Sequence, residues 1–443
     1  MGSIMVEASL LEEWNPWWSS GEVPPQLAGI PRDPTAKIAG LLDAPEVISI
    51  VGVRRAGKTT IMYQLVQRLL AGGVPPENVL WAYLEDPVLG GAELGEILSA
   101  YVRAKAPRGR TYAFLDEVQA SEGWQRWVLR EYERKRPVKF IVSGSSSALV
   151  RSELARLLVG RDVTVPITPL SLPEFLRFNN ETFQGLAGSD RQDRALHWLE
   201  RYLATGGFPE AVLGTEEGRW GTLRHILDTL LYREVVHPHR VKAPDLEAVM
   251  GFVLSNVGKP LTLNNISDAA GPAVNTVKSY IQHLSEAMLI APVPPLTYTT
   301  KPSRRQNLPY KYYCIDTGLR NAASTSRTGD LGRLVENVVC IELLRRGVAP
   351  EYWAGRHEVD FVLGPWPGTV TPMNVCYADD VPEREYEGLK EFKGPREGSV
   401  AQPLILTKAK EGEDRGVRHV PVWKWLLEGR ADGRARLPYP PSW

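Results

Sequence analysis

Short runs of β-branched and aromatic residues alternate with stretches of helical apolar spacing in the first third of the chain. Four of these runs, 46–51, 79–86, 111–117 and 138–142, are typical of buried strands. The first run leads through a glycine-containing turn into IMYQLVQRLL, whose apolar residues recur at helical spacing. This pattern predicts an α/β fold for the beginning of the chain.

Three helical patterns follow one another closely after residue 245. They are DLEAVMGFVLSNVG, the short TLNNISDAAG and the longer AVNTVKSYIQHLSEAMLI. A helix, a short helix, a glycine turn and a longer helix are typical of a helix-turn-helix. Further on, the chain shows one amphipathic helix, GDLGRLVENVVCIELLRRG, and two strand-like runs, EVDFVL and 372–377.

The bulk composition narrows the possible classes of protein. A chain of 443 residues is long enough for roughly two to four domains. Its net charge is zero, so DNA binding would need a local basic patch rather than an overall basic field. Apolar runs such as VISIVGV are too short to span a bilayer, and three scattered cysteines fit a reducing compartment. We therefore expect a cytoplasmic protein with no membrane partner.

The segment GVRRAGKTT, residues 52–60, carries the strongest chemical signal. It has the spacing Gly-x-x-x-x-Gly-Lys-Thr between a predicted strand and a predicted helix, which is the context that a P-loop requires. The glycines let backbone N–H groups wrap around phosphates, the lysine reaches the β- and γ-phosphates, and the threonine ligates Mg²⁺. The predicted contacts with ATP and its metal are Gly52, Arg54, Arg55, Ala56, Gly57, Lys58, Thr59 and Thr60, with Thr59 as the metal ligand.

The third strand ends in Asp116 and Glu117, as a Walker B strand does. Downstream of a P-loop, we expect Asp116 to hold Mg²⁺ and Glu117 to polarise the attacking water. The fourth strand ends in the polar segment SGSSS, where we expect Ser145 or Ser146 to position that water. The same serines also fit a turn with a helix N-cap, so that alternative stays open.

Arginine side chains can stabilise the charge that develops on a transferred phosphoryl group. Arg156 and Arg161 lie where a helical pattern ends and a new strand begins. We predict that Arg161 is an arginine finger, in its own subunit or toward a neighbouring one, against the alternative of an ordinary surface arginine. A finger that reaches a neighbour would need a homo-oligomer, and one within its own subunit would not.

The helix-turn-helix pattern predicts a DNA interface. The residues that its second helix would present to base edges are Asn275, Thr276, Lys278 and Gln282. The basic residues of the next run, which as a wing would contact the phosphate backbone, are Lys301, Arg304, Arg305 and Lys311. Such folds also serve as packing and protein-interaction modules, so a protein partner is the alternative.

Several stretches, in this order, resemble the AAA+-like, STAND-related P-loop ATPases of archaea and bacteria. They are NPWW, GVRRAGKTT, YLEDP, FLDEVQASEGWQRW, LLVGRDVTVPITPLSLPEFL, GGFPEAVL, KYYCIDTGLRNA and GRLVENVVCIELLRR. The resemblance implies an α/β P-loop core with a helical lid, a winged helix and a C-terminal α/β nuclease-like domain. The implied bounds are 1–169 for the core with its N-terminal extension, 170–240 for the lid, 241–312 for the winged helix and 313–443 for the nuclease-like domain.

The nuclease-like segment lacks part of the cutting chemistry. Restriction-like nucleases carry a helix glutamate, a strand aspartate and an acid-x-lysine pair on the next strand. Glu336 and Asp360 match by motif position, while Asn374 and Cys376 replace the second acid and the lysine. Asparagine is a poor ligand for a hard cation beside a carboxylate, and cysteine cannot replace the ammonium. We expect a retained fold without cleavage.

The leading hypothesis is a Mg-dependent, ATP-hydrolysing molecular switch that acts on DNA, including branched DNA, through the winged helix. The alternative is a slow nucleotide sensor that docks a protein partner. A third reading, an ATP-gated nuclease, ranks below both because of the two replaced groups.

Overall fold

A computed structural model of the chain describes residues 6–145, 160–185, 187–297, 308–324, 331–364, 368–394 and 400–428. The chain divides into two compact units, Met1–Ile167 and Thr168–Trp443. Within these ranges, no helix is both long and apolar enough to cross a membrane.

The first unit is built on a parallel five-stranded sheet with the order β2-β3-β4-β1-β5. Every residue of β1 and β3 is buried, as expected for strands that are covered on both faces. The predicted α/β core is therefore confirmed. The strands are β1 (Val47–Gly52), β2 (Val79–Tyr83), β3 (Thr111–Asp116), β4 (Val138–Gly144) and β5 (Asp162–Ile167).

Helices connect and cover these strands. The longest, α5, begins at Lys58 and carries its buried side chains on the face that packs on the sheet, including Ile61, Leu65 and Leu69. The described helices of the first unit are α1 (Ala8–Trp14), α2 (Trp17–Ser20), α3 (Pro25–Ala28), α4 (Pro34–Ala39), α5 (Lys58–Ala71), α6 (Leu94–Lys105) and α7 (Trp124–Glu133).

The N-terminal segment covers the free edge of β2. Asn15 is 1% exposed; its Oδ1 accepts from the Trp81 N–H at 2.6 Å and its Nδ2 donates to the Trp81 carbonyl at 2.9 Å. The indole N–H groups of Trp17 and Trp18 both donate to the Val79 carbonyl, at 3.1 and 2.8 Å. These side chains satisfy backbone groups that an edge strand would otherwise leave open to another strand.

The second unit begins with helices. They are α8 (Leu172–Phe178), α9 (Gly188–Thr205), α10 (Pro209–Leu213), α11 (Arg219–Leu230) and α12 (His237–His239), with a π-helical turn at Leu231–Val236. Asp316 ties this region to a later part of the unit, because its carboxylate accepts from the Gly207 N–H at 2.6 Å and the Leu319 N–H at 3.0 Å.

The predicted helix-turn-helix elements are present as helices, and a small sheet accompanies them. They are α13 (Ala243–Ser255), α14 (Leu263–Ala270) and α15 (Val274–Glu286). The strands β6 (Pro260–Leu261), β7 (Ile290–Val293) and β8 (Tyr310–Cys314) form an antiparallel sheet with the order β6-β8-β7. Thr262 caps the start of α14 with a capping box. Its Oγ1 accepts from the Asn265 N–H, and the Asn265 Oδ1 accepts from the Thr262 N–H.

A six-stranded mixed sheet forms the rest of the second unit, in the order β13-β14-β12-β11-β10-β9. The predicted helix and both predicted strands are confirmed as α17, β10 and β11. The elements are α16 (Thr317–Ala323), α17 (Leu331–Arg345), β9 (Glu351–Ala354), β10 (Glu358–Leu363), β11 (Thr371–Cys376), α18 (Glu383–Glu391), β12 (Leu404–Thr407), β13 (Gly412–Asp414), β14 (Val417–Pro421) and α19 (Val422–Leu427).

We predict that Asn15→Ala destabilises the first unit, because the Trp81 backbone groups lose buried partners. Loss of such bonds costs about 1–3 kcal/mol, which corresponds to a melting temperature lower by about 2–12 °C in a unit of this size. Differential scanning calorimetry with Ser19→Ala, an exposed residue of α2, as the control checks this. Equal melting temperatures for the two variants would contradict it.

Candidate functional site

The P-loop connects β1 to α5 through backbone shapes that its sequence permits. Gly57 has φ 91° and lies in the left-handed region that favours glycine. A Cβ on Gly52 would lie 2.2 Å from the Ile167 carbonyl oxygen, so no larger residue fits beside β5. Arg55 also has a positive φ, 65°, although it is not glycine. The loop is therefore tightly specified at both of its ends.

The two residues that follow Gly57 face the end of the sheet. The Lys58 ammonium donates to the carbonyls of Gly52 and Val53, at 3.1 and 3.3 Å, and its side chain is almost fully buried. The Thr59 hydroxyl donates to Asp116 Oδ2 at 2.8 Å. The structure thus brings the predicted lysine, the predicted threonine and the Walker B aspartate together.

Asp116 is fully buried at the end of β3. Burial raises the pKa of its carboxyl above the ordinary value, and Glu117 adds to this; the hydroxyls of Ser143 and Thr59 and the Lys58 ammonium partly offset the rise. A carboxylate held by two hydroxyl donors and near an ammonium is a hard-oxygen ligand of the kind that Mg²⁺ prefers. Thr59 and Asp116 therefore fit the metal that accompanies a nucleotide.

Glu117 follows with φ 55° and ψ 50°, a left-handed shape that costs a non-glycine residue free energy. Its carboxylate accepts from Gln119 Nε2 at 2.5 Å and lies 4.0 Å from the Lys58 ammonium. The turn aims Glu117 at the P-loop lysine rather than along the strand.

Ser143 is a site residue that the sequence did not single out. Its hydroxyl donates to Asp116 Oδ1 and accepts from the Glu117 N–H at 3.2 Å, and the residue is fully buried. Ser145 is buried just beyond β4, while Ser146 lies outside the described residues. Because Leu115 pairs with Val142, Ser143 is level with Asp116. No signal in the sequence separates this serine from its neighbours, and the register of β4 against β3 does so.

The prediction that Arg161 is a finger in its own subunit is wrong. Arg161 precedes β5, and its Nε donates to Glu133 Oε1 at 2.7 Å. Val47 pairs with Asp162 and Gly52 pairs with Ile167, so Arg161 lies at the end of the sheet opposite the P-loop. Five residues of strand separate the two ends by about 16 Å, which exceeds the length of an arginine side chain. A finger toward a neighbouring subunit stays a prediction, and Arg156 lies outside the described residues.

Other residues around the loop were also missed. Arg32 is 4% exposed and donates from Nη1 to the Ala56 carbonyl at 2.5 Å. Gln64 on α5 holds the same N-terminal segment, since its Nε2 donates to the Ala28 and Ile30 carbonyls at 2.7 and 2.8 Å. Neither residue belongs to a local motif, so only the packed fold reveals them.

Thr60, the last of the predicted P-loop contacts, is partly buried within α5.

The predicted DNA readers lie on α15. Asn275, Lys278 and Gln282 are exposed and Thr276 is partly exposed, while the Gln282 amide donates to Glu286 Oε1 at 2.8 Å. The predicted phosphate contacts Lys301, Arg304 and Arg305 lie outside the described residues.

The expectation that Lys311 contacts a DNA backbone is wrong. Its side chain is fully buried, and its ammonium lies 2.6 Å from Glu358 Oε1, 2.9 Å from Glu336 Oε1 and 3.1 Å from Asp360 Oδ1. Burial alone would lower the pKa of Lys311, but these three carboxylates outweigh it and raise the pKa well above its ordinary value. We call Lys311, Glu336, Glu358 and Asp360 the buried ion cluster.

The residues that replace the nuclease acid and lysine have structural partners. Asn374 Oδ1 accepts from the Asp360 N–H at 3.1 Å, and its Nδ2 donates to Glu385 Oε2 at 2.8 Å. Cys376 is buried, which raises the pKa of its thiol to about 11 and keeps it neutral. Within the described ranges, no group of three or more His, Cys, Asp or Glu side chains is arranged to hold a metal ion.

We predict that Lys311→Met destabilises the second unit by up to about 3–5 kcal/mol, because it leaves three neighbouring, partly exposed carboxylates without the buried cation that neutralises them. The loss should be larger at pH 8 than at pH 5. Burial raises the pKa of Glu336 from 4.5 to about 7, with Lys311 opposing the rise. The folded state therefore favours protonated Glu336, and this stability is lost as the pH rises through about 7. Without the ammonium, the repulsion between ionised carboxylates adds to that loss.

Urea unfolding at both pH values, with the exposed Lys259→Met as the control, measures the effect. A Lys311→Met cost that is small and independent of pH would contradict it.

The match to a family model agrees with the geometry at the P-loop. Residues 44–176 match the family model of an AAA domain, and residues 196–330 match a domain of unknown function. An uncharacterized protein of Methanocaldococcus jannaschii is 27% identical over 408 residues, which cover 86% of this chain and 89% of that protein. The solved Walker-type ATPase of Pyrococcus abyssi is 12% identical with a TM-score of 0.41, and the match covers 67% of this chain and 96% of that one.

A relative from Haemophilus influenzae, an uncharacterized protein, is 30% identical over 391 residues, which cover 86% of this chain and 94% of the relative. The match extends over both the AAA domain and the region beyond it. The chain belongs to the same family as this Haemophilus influenzae protein, and its residues 44–176 carry a P-loop, AAA-like domain.

Proposed function

We propose that the protein is a Mg-dependent, ATP-hydrolysing molecular switch that binds DNA through its second unit. The observation that carries the ATPase part is the contact between the Thr59 hydroxyl and Asp116, 2.8 Å long, beside Lys58 and Glu117. The AAA-domain match over residues 44–176 supports nucleotide binding and hydrolysis.

Each residue of this cluster has a distinct task. The Lys58 ammonium binds the β- and γ-phosphates in exchange for its carbonyl contacts, and the helix N-terminus of α5 adds backbone N–H donors. Thr59 and Asp116 would hold Mg²⁺, which supplies charge neutralisation on the phosphates. Glu117 orients the attacking water and accepts its proton, while Ser143 fixes the positions of both acids.

We predict that Lys58→Ala weakens ATP binding by roughly 10-fold or more, because the loop loses its only side-chain ammonium. We also predict that Glu117→Gln still binds ATP but hydrolyses it at least about 10²-fold more slowly. Isothermal calorimetry with a non-hydrolysable ATP analogue and steady-state phosphate release measure the two effects. Lys37→Ala, an exposed lysine on α4, is the matched control. Normal turnover in Glu117→Gln would show that another residue activates the water.

The element order α13-β6-α14-α15-β7-β8 supports the winged-helix part of the proposal. Winged helices combine three helices with a small antiparallel sheet in this order. In such a fold the second helix of the helix-turn-helix, here α15, enters the major groove. The outer face of α15 is polar and carries one cation, Lys278. Since Lys311 is buried, phosphate contacts rest on the basic residues between β7 and β8.

The last part of the chain is proposed to be a platform that does not cut DNA. Its order α17-β9-β10-β11-α18-β12 suits a nuclease-like fold. However, the carboxylates at the nuclease motif positions hold the Lys311 ammonium, and Asp360 Oδ2 also accepts from the Val375 N–H at 2.9 Å. A divalent cation held by these carboxylates would lie next to the Lys311 ammonium, and the two cations would repel each other.

We predict that duplex or branched DNA binds with an affinity that falls as salt rises, and that Lys278→Ala weakens binding severalfold and lowers the salt slope by about 1. Fluorescence anisotropy between 50 and 200 mM salt measures this, with Lys390→Ala on α18 as an exposed control. A gel assay with Mg²⁺ or Mn²⁺ should show intact DNA. Binding that is absent or independent of salt would instead favour the protein-docking sensor.

A further inference from the structure

The P-loop contains an arginine whose contact is not explained by phosphate cradling alone. Arg54 donates from Nη2 to Glu85 Oε1 at 2.5 Å and from Nη1 to Glu85 Oε2 at 3.3 Å. The two bonds form a bidentate pair, which fixes the plane of the guanidinium. Backbone N–H groups of the loop bind phosphates whatever side chain stands at this position. Phosphate binding by the backbone therefore does not explain why Arg54 is paired with Glu85.

Glu85 lies next to the Walker B acids. It is the second residue after β2, and the residue before it, Leu84, donates its N–H to the Asp116 carbonyl at 3.0 Å. The Tyr83 hydroxyl donates to Glu85 Oε2 at 3.2 Å. Burial, with Glu85, Glu117 and Asp116 nearby, raises the pKa of Tyr83 to about 12, so this hydroxyl stays a donor at neutral pH. The Arg54 guanidinium therefore lies on the side of the P-loop that faces the hydrolytic acids.

Phosphoryl transfer needs positive charge near the γ-phosphoryl group, between the P-loop and the predicted Walker B acids. Negative charge develops on the oxygens of the γ-phosphoryl group, and an arginine in the same or a neighbouring subunit often neutralises it. Arg161 cannot do so within its own subunit, because it lies at the other end of the sheet. Arg54 starts from the loop that wraps the phosphates, so its side chain is long enough to reach the γ-phosphoryl group.

We propose that Arg54 is the arginine that stabilises the charge on the γ-phosphoryl group within its own subunit, and that Glu85 holds it in a standby position before ATP binds. This inference rests on the proposed ATPase function. The Arg54 and Glu85 side chains are 18% and 26% exposed, so solvent reaches the pair and either group can exchange its partner. A γ-phosphate carries more charge than one carboxylate and offers the same bidentate geometry to a guanidinium.

The standby contact gives ATP a way to rearrange the site. When the guanidinium moves to the phosphate, Glu85 loses its contact with Arg54 and keeps the hydrogen bond from the Tyr83 hydroxyl. ADP lacks the γ-phosphate, so Arg54 returns to Glu85 after hydrolysis and phosphate release. The loop would therefore distinguish ATP from ADP with residues of its own unit.

The test compares Arg54→Ala, Arg54→Lys and Glu85→Gln with Arg68→Ala, an exposed arginine on α5. Steady-state phosphate release gives kcat and KM. Binding of Mg-ADP with aluminium fluoride, which mimics the transferred phosphoryl group, reports on transition-state stabilisation and is compared with binding of Mg-ADP alone. Melting temperatures confirm that each variant is folded.

Arg54→Ala should lower kcat by about 10²-fold or more, and should weaken the aluminium fluoride complex by a similar factor while Mg-ADP binding changes little. Arg54→Lys should recover only part of the activity, since a lysine cannot bind in the bidentate manner. Glu85→Gln should lower KM a few-fold, because the competing carboxylate is gone.

Two results would overturn different parts of this account. If the wild-type protein hydrolyses ATP and the kcat of Arg54→Ala is within twofold of the wild-type value, Arg54 has no catalytic role and the proposed ATPase function stands. A wild-type protein without any hydrolysis would overturn the proposed function and this inference together. If Glu85→Gln lost as much kcat as Arg54→Ala, Glu85 would position the arginine for catalysis rather than hold it back.

Discussion

The parallel register of the five-stranded sheet is the constraint on which the nucleotide site depends. It pairs Val51 with Gly144 and Leu115 with Val142, so that β1, β4 and β3 end at the same level. Only then can Thr59 and Ser143 donate to the same buried carboxylate of Asp116. Side chains alternate between faces along a strand, so a shift of β3 by one residue would turn Asp116 away from the loop. The same backbone hydrogen bonds therefore specify both the fold and the arrangement of Thr59, Asp116 and Ser143.

The sequence was sufficient to predict an element or a site residue wherever a short motif determines both the local backbone and the reactive side chains. The P-loop, the Asp116-Glu117 pair and the three closely spaced helices could be predicted, since each combines local periodicity with fixed spacing. Ser143 could not be separated from its neighbouring serines without the register of β4 against β3. A finger role for Arg161 within its own subunit could not be excluded from the sequence, because sequence order shows that a strand begins there but not which end of the sheet that start occupies.

Lys311 illustrates a different limit of sequence reasoning. In the sequence it closes a basic run without acidic residues, which favours a solvent-exposed phosphate contact. In the structure its partners come from residues 25 to 49 positions later, on α17 and β10. Local charge patterning cannot detect such pairs, because the side chains meet only after the two sheets of the second unit have formed. The partners of Asn374 and Cys376, including Glu385, also depend on packing.

The buried ion cluster also determines how the chain can be divided. Its ammonium lies on β8, in the small sheet beside the three helices, and its carboxylates lie on α17 and β10. A piece of chain that ends just after β8 would carry an ammonium that has lost every carboxylate of the cluster, and the remaining piece would carry uncompensated acids. Recombination or protein engineering at that point would therefore give two unstable halves. The segment α13–α15 with its small sheet and the six-stranded sheet therefore depend on each other for stability.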